Sequence, residues 1–181
     1  MKQLILRPHE VVALAPSSDD LARAMVAHLS PLSGRVVEFG AGTGKLTRAI
    51  LDRGIRPQDL TVFETNPDFC DLLRRRFPGI TVHCASAATA SGTVEAGIGA
   101  VISGLPLLSM TETVQMNIIG SAFRMLAPGA SFTQFTYSSR APIAEGVAAE
   151  LLLRCERGPK IWANLPPARI WQYRRMQRHA D

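Results

Sequence analysis

The sequence predicts an α/β fold: a mostly parallel, seven-stranded sheet with helices on both faces and an antiparallel hairpin at its carboxyl end. Three observations predict it. Short apolar runs alternate with amphipathic segments between residues 34 and 137, the rhythm of repeated strand-helix units. Glycine breaks separate them at Gly54, Pro78-Gly79 and Pro128-Gly129. The rhythm then stops, and "IWANLPPARIWQYRR" (161–175) reads as two strands joined by a tight Pro166-Pro167 turn.

Taken in order, "SSDDLARAMVAHL" (17–29) is a helix: Ser17 or Ser18 caps it, Asp19 and Asp20 fill its first turn, and Leu21, Ala24, Met25, His28 and Leu29 share one face. "GRVVEF" (34–39) is a buried strand, followed by a helix from Thr43 to Arg53 with Gly54 at the C-cap position. "LTVFE" (60–64) is the second strand. Asn66 then caps, and Pro67 opens, a helix through Phe69, Leu72, Leu73 and Phe77. "ITVHC" (80–84) is the third strand. Residues 85–99, rich in Ala, Ser, Thr and Gly, support only a loose helix. "GAVIS" (99–103) is the fourth strand, and Val114, Ile118, Ile119, Ala122, Phe123 and Leu126 mark an amphipathic helix that runs to Pro128-Gly129. "ASFTQFTY" (130–137) is the fifth strand; the hairpin completes seven. Trp162, Trp171 and Tyr173 are read as hairpin packing rather than an aromatic cage.

With 46% hydrophobic and 19% charged residues, the 181-residue chain suits one domain spanning 1–181, an arm and helix over 1–30 and a core over 31–181. Cys70, Cys84 and Cys155 are far apart without a C-x-x-C pair, which points to neither zinc nor disulfides, and no metal is expected. Arg7, Pro8, His9 and Glu10 interrupt the opening apolar run before a signal peptide forms, and the nearly uncharged stretch at 96–110 is too short to span a bilayer. The expectation is a cytoplasmic protein, at most peripheral on the inner face of the membrane. Residues 154–181 hold seven Arg and Lys against two acids, which accounts for the whole net charge of +5. Such a basic end is either a solvated face or a surface for anionic partners.

"VVEFGAGTGKLTRAI" (36–50) carries the chemistry. A phosphate loop needs four residues between its glycines and a hydroxyl after the lysine; here three residues separate Gly40 from Gly44, and Leu46 follows Lys45. A dinucleotide fingerprint needs a third glycine where Lys45 stands. What remains is E-F-G-A-G-T-G, in which Gly40, Gly42 and Gly44 allow sharp turns and close approach, while Glu38 attracts an ammonium group. Twenty residues after Gly44, Glu64 ends the second strand, where a carboxylate accepts hydrogen bonds from ribose hydroxyls. The pair reads as a site for S-adenosylmethionine.

At these residues the chain resembles the class I, Rossmann-like methyltransferases. The resemblance implies that Glu38, Gly40, Ala41, Gly42, Gly44, Glu64, Thr65, Ser86, Ala87 and Ser103 bind S-adenosylmethionine and its product S-adenosylhomocysteine. Where that superfamily usually carries an adenine-binding Asp, "HCASAAT" (83–89) offers Ser86, a hydrogen-bonding group without charge.

"SGLPLLSM" (103–110) occupies the place where such enzymes present the acceptor. Nucleic-acid adenine methyltransferases carry there a polar anchor and a ring that stacks on the flipped base; this chain has Ser103-Gly104 and Leu107. Together "APSS" (15–18), "VVEFGAGTG", "ETNPDF" (64–69), "SGLPLLSM", "QFTY" (134–137) and "NLPPARIWQYRR" (164–175) resemble the bacterial phospholipid N-methyltransferases over nearly the whole chain. That likeness implies stepwise methylation of phosphatidylethanolamine towards phosphatidylcholine without a metal. It also implies that Ser103 to Leu108 (with Gly104, Leu105, Pro106 and Leu107) and Tyr137 border the headgroup, while Arg169 or neighbouring basic residues meet the lipid phosphate. Tyr137 is the candidate catalytic residue, orienting the amine. Leu4, Ile5, Leu6, Val11 and Val12 of the arm are candidates for contact with an anionic membrane surface, and a cover over the cofactor is the equal alternative for this arm. Two other readings stand beside this one: a ribosomal RNA adenine dimethyltransferase, with nucleic acid as partner, and a regulatory protein that binds S-adenosylmethionine without catalysis.

Overall fold

The computed structural model describes residues 18–176. The membrane-contact candidates of the arm therefore lie outside the described residues.

Helix α1 (Asp19–Met25) begins where Ser18 Oγ accepts the Leu21 N–H, with two acids in its first turn. Strand β1 (Val36–Phe39) is buried along its whole length and leads through the glycine loop into α2 (Lys45–Asp52). Strand β2 (Leu60–Glu64) precedes α3 (Pro67–Arg76), which Asn66 caps and Pro67 opens as expected. Strands β3 (Thr81–Cys84) and β4 (Ile98–Ser103) are followed by α4 (Glu112–Met125), β5 (Leu126–Thr136), α5 (Glu145–Glu150), β6 (Leu153–Ile161) and β7 (Ala168–Arg175).

These seven strands form one sheet in the order β3-β2-β1-β4-β5-β7-β6. The first five are parallel, and β7 and β6 add an antiparallel edge. Alternation along β1 divides the core between the two faces: Val36 packs with Leu21, Met25, Ile50 and Leu73, while Val37 and Phe39 pack with Ile118, Ile119, Phe123 and Phe132. The order reverses between β1 and β4, so the segments after these two strands open a crevice at their carboxyl ends, where open α/β sheets bind ligands.

Several elements differ from the sequence expectation. The segment 85–99 holds a short 3-10 turn (Ala87–Gly92) capped by Ser86 rather than a loose helix. The amphipathic helix stops at Met125, because Ala127 precedes a proline, which disfavours the helical region, and Leu126 is already extended in β5. The hairpin's first strand starts at Leu153 instead of Ile161; as an edge strand it carries charges and an irregularity at Gly158-Pro159 in place of apolar alternation. Trp162 consequently stands in the connection, 71% exposed, rather than packed inside the hairpin, whereas Trp171 and Tyr173 are buried. Helix α5 is an addition that the sequence reading did not contain.

Candidate functional site

A cavity of about 830 Å³ lies at the carboxyl ends of the parallel strands. Gly40, Ala41, Gly42, Glu64, Thr65 and Ser86 line one half of it. Leu105, Leu107, Met110, Val114, Ile118 and Tyr137 line the other.

The glycine loop is shaped by its neighbours. Gly40, Gly42 and Gly44 all have positive φ. A Cβ on Gly44 would lie 2.5 Å from the Phe77 ring, and one on Gly40 would lie 2.7 Å from Leu105, so both positions are closed to larger residues. Around Gly42 none of the described residues lies within 4 Å of such an atom.

Glu64 is the fixed point of this half. Its Oε2 accepts the Gly42 N–H at 2.9 Å, and its Oε1 accepts the N–H groups of Thr65 (2.8 Å) and Asn66 (2.9 Å). Both lone-pair sites of Oε1 are thereby filled, whereas Oε2, with one donor, retains capacity for a ribose hydroxyl. Behind it, the buried Cys70 thiol donates to the Glu64 carbonyl, and burial together with the neighbouring Cys84 pushes that thiol up to about 12.

Glu38 is fully buried beneath the loop and does not line the cavity. The Thr47 hydroxyl donates to its Oε2 at 2.7 Å, while Oε1 is buried without a partner among the described residues. Burial pushes this carboxyl up to about 8 against the pull of the Thr47 hydrogen bond, and the Glu64 charge pushes the same way. Glu38, the group expected to attract an ammonium, thus lies off the cavity wall and is tied to α2 through Thr47. Gly44 and Ser103 also lie off the cavity wall; Ser103 Oγ accepts the Leu105 N–H, turning the chain out of β4.

The acceptor half begins at Gly104, which follows β4 beside Gly40; a Cβ there would lie 2.9 Å from the Gly40 carbonyl oxygen. Leu107 is buried and Leu108 half-exposed, so the loop is anchored by one leucine and opens with the next. Two residues to which the sequence reading gave no role in the site hold it. Gln115 Nε2 donates to the Leu107 carbonyl at 2.8 Å while its Oε1 accepts the Ala144 N–H, and Gln134 Nε2 donates to the Leu105 carbonyl at 2.8 Å. The signal for both was a polar residue inside an otherwise apolar helix face or buried strand.

Tyr137 follows β5 at the rim, its ring edge-on to Phe135. Burial pushes its phenol up, with the Asn164 side chain opposing. Arg169 is outside the main cavity. It lines a smaller recess of about 80 Å³ together with Tyr137, Ser138, Arg157 and Lys160, and donates to the Gly158 carbonyl.

The site fits S-adenosylmethionine: a carboxylate at the end of β2 for the ribose, an open backbone cradle at Gly42, and space for an acceptor beyond. Among the described residues no cluster of three His, Cys, Asp or Glu is arranged to hold a metal. No described helix is long and apolar enough to cross a membrane.

Residues 36–129 match the family model of the methyltransferase domain. The ornithine lipid N-methyltransferase of Singulisphaera acidiphila is 36% identical over 136 residues, 70% of each chain. The glycopeptide N-methyltransferase MtfA complexed with S-adenosyl-L-methionine superposes with a TM-score of 0.68 at 15% identity, over 90% of this chain and 96% of that one. The 1,6-didemethyltoxoflavin-N1-methyltransferase of Burkholderia thailandensis gives 0.67 at 17% identity, over 98% and 94%. The chain belongs to the methyltransferase domain family, as a class I, Rossmann-like, S-adenosylmethionine-dependent methyltransferase.

Proposed function

We propose that this methyltransferase acts on the amine nitrogen of a membrane lipid, with phosphatidylethanolamine as the acceptor, at the cytoplasmic face of the membrane. The observation that carries the reading is the acceptor half of the cavity, whose apolar wall (Leu105, Leu107, Met110, Val114, Ile118) meets Tyr137 and, among the described residues, holds no charged side chain. The ornithine lipid N-methyltransferase supports it, being a relative whose acceptor is also a lipid.

Glu64 and the amides of the glycine loop hold the donor, with Thr65, Ser86 and Ala87 along its base side; Glu38 and Gly44 keep the loop in shape. Bound S-adenosylmethionine supplies an electrophilic methyl group. The protein's task is to bring the amine to it deprotonated and aligned. A primary ammonium with a lysine-like pKa costs roughly 4 to 5 kcal/mol to deprotonate at pH 7. The apolar wall lowers that cost by desolvating the cation. Tyr137 orients the amine through its hydroxyl, and its ring face favours the methylated cation that forms. Alignment of nitrogen, methyl and sulfur contributes about 7 to 11 kcal/mol, with no covalent intermediate.

Incubation with labelled S-adenosylmethionine and vesicles containing phosphatidylethanolamine tests the reading, and methylated lipid is the expected product. Label on an ornithine-type aminolipid alone would change the acceptor. Label on ribosomal RNA would replace the reading with the adenine alternative, and donor binding without turnover on any acceptor would leave a regulatory protein.

A further inference from the structure

The loop that joins β6 to β7 combines features that the methyl-transfer chemistry does not use. Strand β7 runs antiparallel to β5, with Thr136 opposite Arg169, so this loop projects at the end of the sheet where the cavity opens. Trp162 and Leu165, 71% and 91% exposed, stand on it. Leu32 is as exposed, but it follows α1 and precedes β1, at the opposite end of the strands.

Below the loop, Lys160 and Arg169 are direct cross-strand partners. Like charges placed opposite one another destabilise a sheet. No carboxylate relieves them: Arg154 and Arg174 share Glu156 further along the hairpin, whereas Arg157, Lys160 and Arg169 have no acidic partner among the described residues. All three line the recess beside Tyr137. Such an arrangement is relieved by an anion from outside the protein.

The loop is also fixed in place. Asn164 is buried; its Oδ1 accepts the Ser18 N–H at 2.8 Å and its Nδ2 donates to the Pro166 carbonyl at 2.7 Å, tying the loop to the start of α1. Lys160 Nζ lies 3.9 Å from the centre of the Trp162 ring, which holds cation and indole together. An aromatic ring and a leucine presented outward beside unpaired cations match the boundary of an anionic bilayer, where indole rings sit at headgroup level and Lys or Arg meet phosphate.

We infer that the β6–β7 loop is a membrane-docking element: Trp162 and Leu165 enter the interface, Arg157, Lys160 and Arg169 meet lipid phosphates, and the cavity mouth is thereby set against the headgroup layer. The choice of a bilayer over a soluble anion rests on the lipid-acceptor reading above. Docking of this kind is reversible and weakened by salt.

The test is cosedimentation of the full chain with vesicles of phosphatidylglycerol and phosphatidylcholine, which contain no primary amine to methylate. The expected result is partition onto these vesicles at low salt, weaker at high salt and weaker on pure phosphatidylcholine. The double substitution Trp162→Ser, Leu165→Ser reduces partition at least tenfold, and Lys160→Gln reduces it about fivefold, while adenosylhomocysteine binding and thermal midpoint stay at wild-type values. A second measurement serves if the double variant folds poorly: tryptophan emission shifts to the blue on anionic vesicles, and Trp162→Phe abolishes that shift. Unchanged partition in the variants, or a blue shift that survives Trp162→Phe, would overturn the inference even if phosphatidylethanolamine is methylated. Vesicle docking with the expected variant losses, but with no methylation of any lipid, would instead uphold docking and sink the lipid-acceptor reading.

Discussion

The Gly42 amide donates to Glu64 Oε2 at 2.9 Å, tying the loop after β1 to the carboxylate that ends β2. One side chain thus fixes the shape of the donor cradle and presents an acceptor to whatever hydroxyls enter it.

Replacing Glu64 by Gln turns an amide NH2 towards backbone N–H groups that now donate to the carboxylate. Hydrogen bonds to charged groups contribute about 1.5 to 3 kcal/mol. The expected outcome for Glu64→Gln is a loss of roughly ten- to a hundredfold in adenosylhomocysteine affinity, measured by titration calorimetry, with a smaller loss of stability.

Glu38 gives a pH dependence of definite sign. Its folded pKa is raised from 4.5 to about 8, so between those values the folded protein binds more protons than the unfolded chain. Its contribution to stability is full below pH 4.5 and falls as pH rises towards 8. Glu38→Gln removes this slope. Urea unfolding at pH 5, 7 and 9 will show the variant gaining on the wild type as pH increases, by an amount on the order of a few kcal/mol across the window.

Gly104 is confined by backbone rather than by a flexible side chain. Its Cβ would meet the Gly40 carbonyl oxygen at 2.9 Å and Leu46 at 3.4 Å. Gly104→Ala is expected to destabilise the fold by about 1 to 3 kcal/mol and to lower kcat by prising the acceptor loop from the donor loop. Gly92→Ala, at a position with open space around it, is the control and leaves both denaturation midpoint and turnover unchanged.

Tyr137→Phe keeps the ring and removes the hydroxyl. One neutral hydrogen bond contributes about 0.5 to 1.5 kcal/mol net, so kcat on aminolipid vesicles falls by roughly three- to tenfold, with adenosylhomocysteine affinity unchanged. Tyr137→Ala also removes the cation-π contact and falls further. Steady-state kinetics on both variants checks the order.

Much of the donor half was legible because its constraints are local. The spacing of Gly40, Gly42 and Gly44, the carboxylate at the end of β2, and the Asn66-Pro67 start of α3 are each dictated by backbone geometry within a few residues. The acceptor half was less so. Gln115 and Gln134 act on carbonyls 8 and 29 residues away, and such contacts leave no short-range pattern. Strand β6 was misread at its start because an edge strand is not selected for apolar alternation, and Trp162 was misplaced with it. Glu38 was identified as important, but its depth followed from the full burial of β1 rather than from the motif.

Strands β1 and β4 are immediate neighbours, with Phe39 opposite Ser103, and the two loops that enclose the reaction hang from these adjacent ends. The separation of these two loops is thus governed by a ladder of backbone hydrogen bonds, the least deformable ruler a polypeptide owns. Residues 105–110 can then be exchanged to reshape the cavity wall without recalibrating that ruler.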